Sequence, residues 1–143
     1  MGLITTTGLH HLRLTVTNLE RSRAFYADVL GFGVAAESPG SPDDPAVRDD
    51  PEQLYGGVVF KTNGMLFGLR PVAERTDRFD SMRVGLDHIS FSVAARSDLD
   101  EAAARLQERG VPHGEVRELT GFGIAILSFD DPDGVHLELT APL

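Results

Sequence analysis

Two short segments each place a histidine at the head of an alternating pattern. His11-Leu12-Arg13-Leu14-Thr15-Val16 and His88-Ile89-Ser90-Phe91-Ser92-Val93 switch between polar and apolar side chains, the period of a half-buried strand. The alternation gives His11, Arg13 and Thr15 one polar face. It gives His88, Ser90 and Ser92 another. An imidazole on such a face hydrogen-bonds, carries a proton or ligates a metal. A lone strand histidine is in most proteins a satisfied polar residue, so the repetition carries the weight. Arg13 offers a planar fork for a carboxylate or phosphonate, or for an acidic neighbour within the chain. Other chemistries are closed. The chain has no cysteine, which removes disulfides, thiolate catalysis and cysteine-ligated zinc. No Gly-x-Ser-x-Gly elbow occurs. Gly121-Phe122-Gly123 lacks the third glycine and following helix of a dinucleotide loop.

The elements around these strands repeat as well. After the first strand, Thr17-Asn18-Leu19-Glu20 fits a capping box and opens a helix that runs through Leu30 to Gly31. After the second, Ser97-Asp98-Leu99-Asp100 opens a helix. Leu99, Ala102, Ala103 and Leu106 share one of its faces, and it stops at Gly110 before Pro112. Each half then supplies three strands. They are Gly33 to Glu37, Gly57 to Lys61 and Gly64 to Pro71, and then His113 to Leu119, Gly123 to Phe129 and Gly134 to Thr140. Asp131-Pro132-Asp133-Gly134 is the turn before the last strand. Each half therefore reads strand, helix, strand, strand, strand. Two such halves can set their sheets side by side, with helices on one face and the other face curving around a cavity.

The proline- and aspartate-rich segment Ser38 to Gln53 lies outside the repeat and reads as a surface loop, a candidate rim or lid. Pro71 to Arg83 joins the halves. Tyr26 and Phe25 read as core. Tyr55 and Phe122, each beside glycines, read as packing residues at the rim of the cavity. His10 falls on the strand face opposite His11, as a structural residue or a neighbour's partner. His113 reads as a surface residue. His136 shares the face of Glu138 and is a candidate acid/base.

At 143 residues the chain suits one domain, 1–143, with modules at 8–71 and 84–141. A formal net charge of −9 repels phosphate backbones and anionic lipid, so neither nucleic acid nor membrane is an expected partner. No apolar run approaches a membrane span. Met1-Gly2-Leu3-Ile4-Thr5 lacks the charged start and long apolar core of a signal peptide. A cytoplasmic location is the expectation.

The stretches His11 to Phe32, Asp87 to Val93 and Asp131 to Leu139 resemble the vicinal oxygen chelate superfamily. That group joins glyoxalases, extradiol dioxygenases, fosfomycin-resistance enzymes and bleomycin-binding proteins. The resemblance spans roughly Leu9 to Ala141. It implies an α+β fold in which two paired βαβββ modules form a U-shaped mixed sheet around a cavity, helices on the outer face. It implies metal ligands on the first and last strands of each module. Carried over, these are His11, His88 and Glu138. The fourth place falls on Gly68, four residues after Gly64 as Glu138 is four after Gly134. Glyoxalase I members supply two histidine or glutamine ligands and two glutamates, so this set departs from theirs.

Two imidazoles and a carboxylate suit a borderline divalent ion: Fe(II), Mn, Co, Ni or Zn. They leave open positions for an oxygen-rich small-molecule substrate. The resemblance thus implies a metal-dependent lyase, dioxygenase or resistance transferase rather than a typical glyoxalase I. Arg13 would orient an anionic group and His136 would handle protons. The alternative is a metal-free drug-sequestering protein of the bleomycin-resistance type, whose acidic rim attracts a cationic drug. Relatives often pair as homodimers, in some of which one cavity takes its two modules from different chains.

Overall fold

The structure, a computed structural model, describes residues 2–143. The chain divides into two units, 1–77 and 78–143. The first carries β1 (His11–Thr15), α1 (Leu19–Asp28), β2 (Gly33–Glu37), the single-turn α2 (Pro45–Arg48), β3 (Val58–Lys61) and β4 (Leu66–Arg70). The second carries β5 (Ile89–Ser92), α3 (Arg96–Glu108), β6 (Arg117–Leu119), β7 (Ile124–Asp130) and β8 (His136–Pro142). Each unit holds a four-stranded mixed sheet, ordered β1-β4-β3-β2 and β5-β8-β7-β6. In each, the first strand pairs parallel with the last and the other pairings are antiparallel. A helical crossover after the first strand makes that parallel pairing possible. The repeat read from the sequence is therefore a repeat of topology, and the fold is α+β. Among the described residues no helix is long and apolar enough to cross a membrane.

The first unit packs an aromatic core. Tyr26 of α1 is fully buried, with its ring 4.8 Å from Phe67 and 6.4 Å from Phe60. Phe32 stacks on it at 6.2 Å. Phe25 is only half-buried, because it lies one position round the helix from Tyr26. The second unit packs a mostly aliphatic core, with Phe129 buried in it. Leu99 and Leu106 of α3 are buried together with Leu127, Leu137 and Leu139 of the sheet. Ala102 and Ala103 are half-buried at the edge of that stripe.

Local signals set the element ends, with one correction. The N-cap of α1 is Asn18 rather than Thr17. Asn18 is extended, and its side chain accepts the Arg21 N–H at 2.9 Å. Glu20 then falls at the second helical position, too early for a capping box with Asn18. The Thr17 hydroxyl instead accepts the Arg21 side chain at 3.1 Å. In α3, the Asp98 carboxylate accepts the Ala95 N–H at 2.9 Å and so satisfies a donor just ahead of the first turn. The Asp131 turn is built as a carboxylate cradle. Asp131 is buried and accepts the N–H groups of Asp133 and Val135 at 2.8 and 2.9 Å.

Segment 38–53 is more ordered than a loop. Asp44 caps α2 by accepting the Ala46 N–H at 2.9 Å. Val47 is buried, and the Arg48 guanidinium donates to the Val72 carbonyl at 3.1 Å. Pro45 and Pro51 sit at helix starts, where their missing N–H costs nothing, while Pro39 and Pro42 stay in bends and turns. A 3-10 turn, Pro51–Gly56, leads into β3. Gly57 at its end has no room for a side chain: a Cβ there would lie 1.8 Å from the Leu69 carbonyl oxygen. The turn is thereby held against β4.

Candidate functional site

In the second unit the polar face of β5 and β8 gathers five of the chemistry-bearing residues. Ser90 lies opposite Glu138 and Ser92 opposite Thr140 in the parallel register. His88 stands one residue ahead of β5. Its Nε2 is 3.9 Å from a Glu138 carboxylate oxygen. The Glu138 side chain is 17 % exposed, and the Thr140 hydroxyl donates to it at 3.1 Å. Thr140 is in turn bonded to the Ser90 hydroxyl at 2.5 Å. His88 Nδ1–H donates to Asp87 at 2.5 Å. In a neutral imidazole an Nδ1–H given to a carboxylate makes Nε2 the acceptor nitrogen. A mostly buried carboxylate whose neighbours are an imidazole and a hydroxyl lacks a full positive charge. A divalent ion would supply one. The two donors are of types that suit such an ion.

His136 opens β8 on the same face. Its Nδ1–H donates to Asp130, its antiparallel partner on β7, at 2.6 Å. The ring of Phe79 meets it edge-on at 5.8 Å. That bond fixes the orientation of the ring and of its Nε2.

In the first unit β1 and β4 build the matching face with different residues. His11 leads β1 and is exposed. His10 does not turn to the far face. It precedes the strand, where alternation no longer binds it, and its Nδ1 lies 2.9 Å from His11 Nδ1. When His11 donates that proton, its Nε2 is free to ligate. Arg13 lies opposite Gly68, and Thr15 opposite Arg70. A Cβ on Gly68 would come within 2.9 Å of Arg13 Nε. Arg13 thus lies across the bare backbone at the place where the second unit carries Glu138. Tyr55 faces both arginines. Its ring centroid is 3.9 Å from Arg70 Cζ and 5.0 Å from Arg13 Cζ, within cation–π range.

The structure thus joins His88 to Glu138 and places His136 on their sheet face, while His11 and Arg13 belong to the first unit. Among the described residues no group of three or more His, Asp or Glu lies close enough together to hold a metal ion. Phe122 is exposed rather than packed. His113 is exposed, bonded to the Gly114 carbonyl and the Gln107 side chain. Three partners escaped the reading of the sequence. Asp87 carried a signal, being adjacent to His88. Asp130 and Thr140 needed the strand register.

Each unit is thus a βαβββ module with a histidine at or just before its first strand. The model of the Glyoxalase/Bleomycin resistance protein/Dioxygenase superfamily matches residues 8–139. The chain belongs to this superfamily. It is 33 % identical over 131 residues to the uncharacterized protein YaeR of Escherichia coli, covering 92 % of this chain and 93 % of that one. It is 28 % identical to the putative ring-cleaving dioxygenase MhqO of Bacillus subtilis, covering 94 % of this chain and 40 % of MhqO. Among solved structures, the glyoxylase/bleomycin resistance protein/dioxygenase domain from Frankia superposes with a TM-score of 0.76 at 27 % identity, covering 97 % and 94 % of the two chains.

Proposed function

We propose that the protein is a metal-dependent enzyme of this superfamily acting on an oxygen-rich small molecule, with His11, His88 and Glu138 as the protein ligands. The observation that carries the reading is the His88–Glu138 pair, 3.9 Å apart and with His88 Nδ1 anchored on Asp87. The bound ion would supply Lewis acidity toward adjacent substrate oxygens. The residues around it have separate tasks. Asp87 fixes the ligating tautomer of His88. Thr140 holds one oxygen of Glu138, so that the carboxylate keeps a single orientation. His136, oriented by Asp130, accepts or returns a proton at Nε2. Arg13 binds and orients an anionic group of the substrate. Three protein ligands rather than four favour dioxygenase-, lyase- or transferase-type chemistry over that of a typical glyoxalase I. We take the assembly to be a homodimer, which sedimentation velocity checks.

Elemental analysis of protein purified without a histidine tag or chelator tests the reading. The wild type is expected to hold close to one equivalent of a transition metal. His88→Ala is expected to lose it while keeping the wild-type circular dichroism spectrum. Equal metal content in the two proteins would overturn the assignment. A wild type that refuses added Fe(II), Mn, Co, Ni and Zn would favour metal-free ligand binding instead.

A further inference from the structure

We propose that Arg13, Arg70 and Tyr55 form an oxyanion-binding site on the first unit, which selects substrates carrying a carboxylate or phosphonate. The inference deepens the enzyme reading by naming the substrate class, and rests on that reading only for the word substrate.

Register comes first. Arg13 and Arg70 stand on neighbouring parallel strands, offset by one position along the same sheet face. Gly68 lies between them in this lattice, and its missing side chain makes room for Arg13. Two guanidiniums therefore converge on one aromatic ring. Two like charges held on one ring repel, and an anion joining them would relieve that.

The acceptors present do not meet that need. Asp49 is the one carboxylate near Arg70, at 3.7 Å, and it is 92 % exposed. Arg70 Nε is buried with no hydrogen-bond partner. Among the described residues the Arg13 guanidinium has the Tyr55 ring and the Gly68 backbone as its neighbours, and no acceptor. Unpaired N–H donors in a fixed fork match the two oxygens of a carboxylate or the three of a phosphonate.

The ring is held in place at a cost. Leu54 and Tyr55 have φ of 52° and 57°, and Gly56 follows at 79°. Two consecutive non-glycine residues in the left-handed region are uncommon and persist where the surroundings enforce them, often at ligand clamps. Asp50 enforces this turn. Its carboxylate accepts the Glu52 N–H at 2.9 Å and the Gln53 amide at 3.0 Å, and its carbonyl accepts the Tyr55 N–H at 3.0 Å. A turn serving only to connect α2 to β3 has no need of a strained tyrosine set against two arginines.

The test uses chelator-treated full-length protein, so that it is independent of metal. Phenylphosphonate and benzoate are titrated while the arginine Nε–H signals are followed by NMR, with neutral benzamide as control. Both anions are expected to shift the Arg13 and Arg70 signals saturably, and benzamide is expected to leave them in place. Arg13→Ser, which installs the residue found at the matching place in the second unit, is expected to weaken anion binding at least tenfold. Arg70→Lys keeps the charge but loses the fork, and is expected to weaken binding by a similar factor with the fold intact. If the anions shift neither signal, or if both variants bind them as the wild type does, the stack is structural and the proposal fails. Anion binding by a protein that refuses every metal would keep this site and overturn the enzyme reading. A metal-loaded protein indifferent to anions would do the reverse.

Discussion

The two units share a backbone and differ in what they hang on it. The registers equate Arg13 and Gly68 with Ser90 and Glu138, and Thr15 and Arg70 with Ser92 and Thr140. On the first face the outcome is two guanidiniums about a tyrosine. On the second it is a carboxylate beside an imidazole and two hydroxyls. Main-chain hydrogen bonds set the strand order without regard to side-chain chemistry. A repeated topology can therefore carry opposite charge in its two copies. Histidine is the one functional residue both copies keep, at His11 and His88, and each imidazole is oriented by the residue just before it. The cores diverge as well, built on an aromatic cluster in the first unit and mostly aliphatic around Phe129 in the second.

The core difference gives the largest expected effect. Phe67 occupies in β4 the place that Leu137 occupies in β8. Phe67→Ala removes the ring in contact with Tyr26 and is expected to cost about 3–5 kcal/mol. Phe67→Leu, which makes the first unit resemble the second, is expected to cost less. Urea unfolding of both variants reads the difference. Equal losses would mean that the ring itself, rather than the volume it fills, carries the contribution.

Gly68→Ala sharpens the comparison at the site. The new Cβ would press on Arg13 Nε, the mobile part of a long side chain. Stability is expected to stay within about 1 kcal/mol of wild type, since Arg13 can swing aside. Anion binding is expected to fall, because the swing breaks the fork. A large loss in thermal stability would show that Arg13 is fixed structurally.

The smallest effect is a pH dependence confined to the first unit. The Gln53 side chain, followed by the Glu52 N–H, holds the Asp50 carboxyl below its ordinary value of 3.8. A depressed carboxylate stabilises the fold at pH above that ordinary value, and the contribution fades as pH falls through the lowered one. Asp50 lies near the surface, so solvent screens the effect. Thermal melts between pH 6 and 2 are expected to show a slightly shallower decline for Asp50→Asn than for wild type. An identical pH profile would remove Asp50 from the account of how Tyr55 is held.

Strand and helix identity was legible because both periods are strong in this chain. His11 to Val16 alternates cleanly, and Leu99 and Leu106 face the core as their spacing requires. The cap of α1 was misplaced by one residue because Thr17 and Asn18 are both good caps, and only backbone geometry chooses between them. Segment 38–53 read as loop because prolines and aspartates signal turns as readily as helix starts. The polar neighbours of Glu138 were visible as residue types. Their hydrogen bonds depend on a register between strands far apart in sequence.

By itself the sequence determined the repeated strand–helix–strand–strand–strand order, the absence of thiol chemistry and the polar faces led by His11 and His88. These are local properties, written in spacing and composition. Only the tertiary structure decided that Arg13 fills the place left by Gly68, that a strained turn sets Tyr55 against two arginines, and that Glu138 rests beside His88. Each of these depends on which strands pair and in what register. Pairing between residues 48 or 55 positions apart is fixed by the packing of the whole unit rather than by any segment alone.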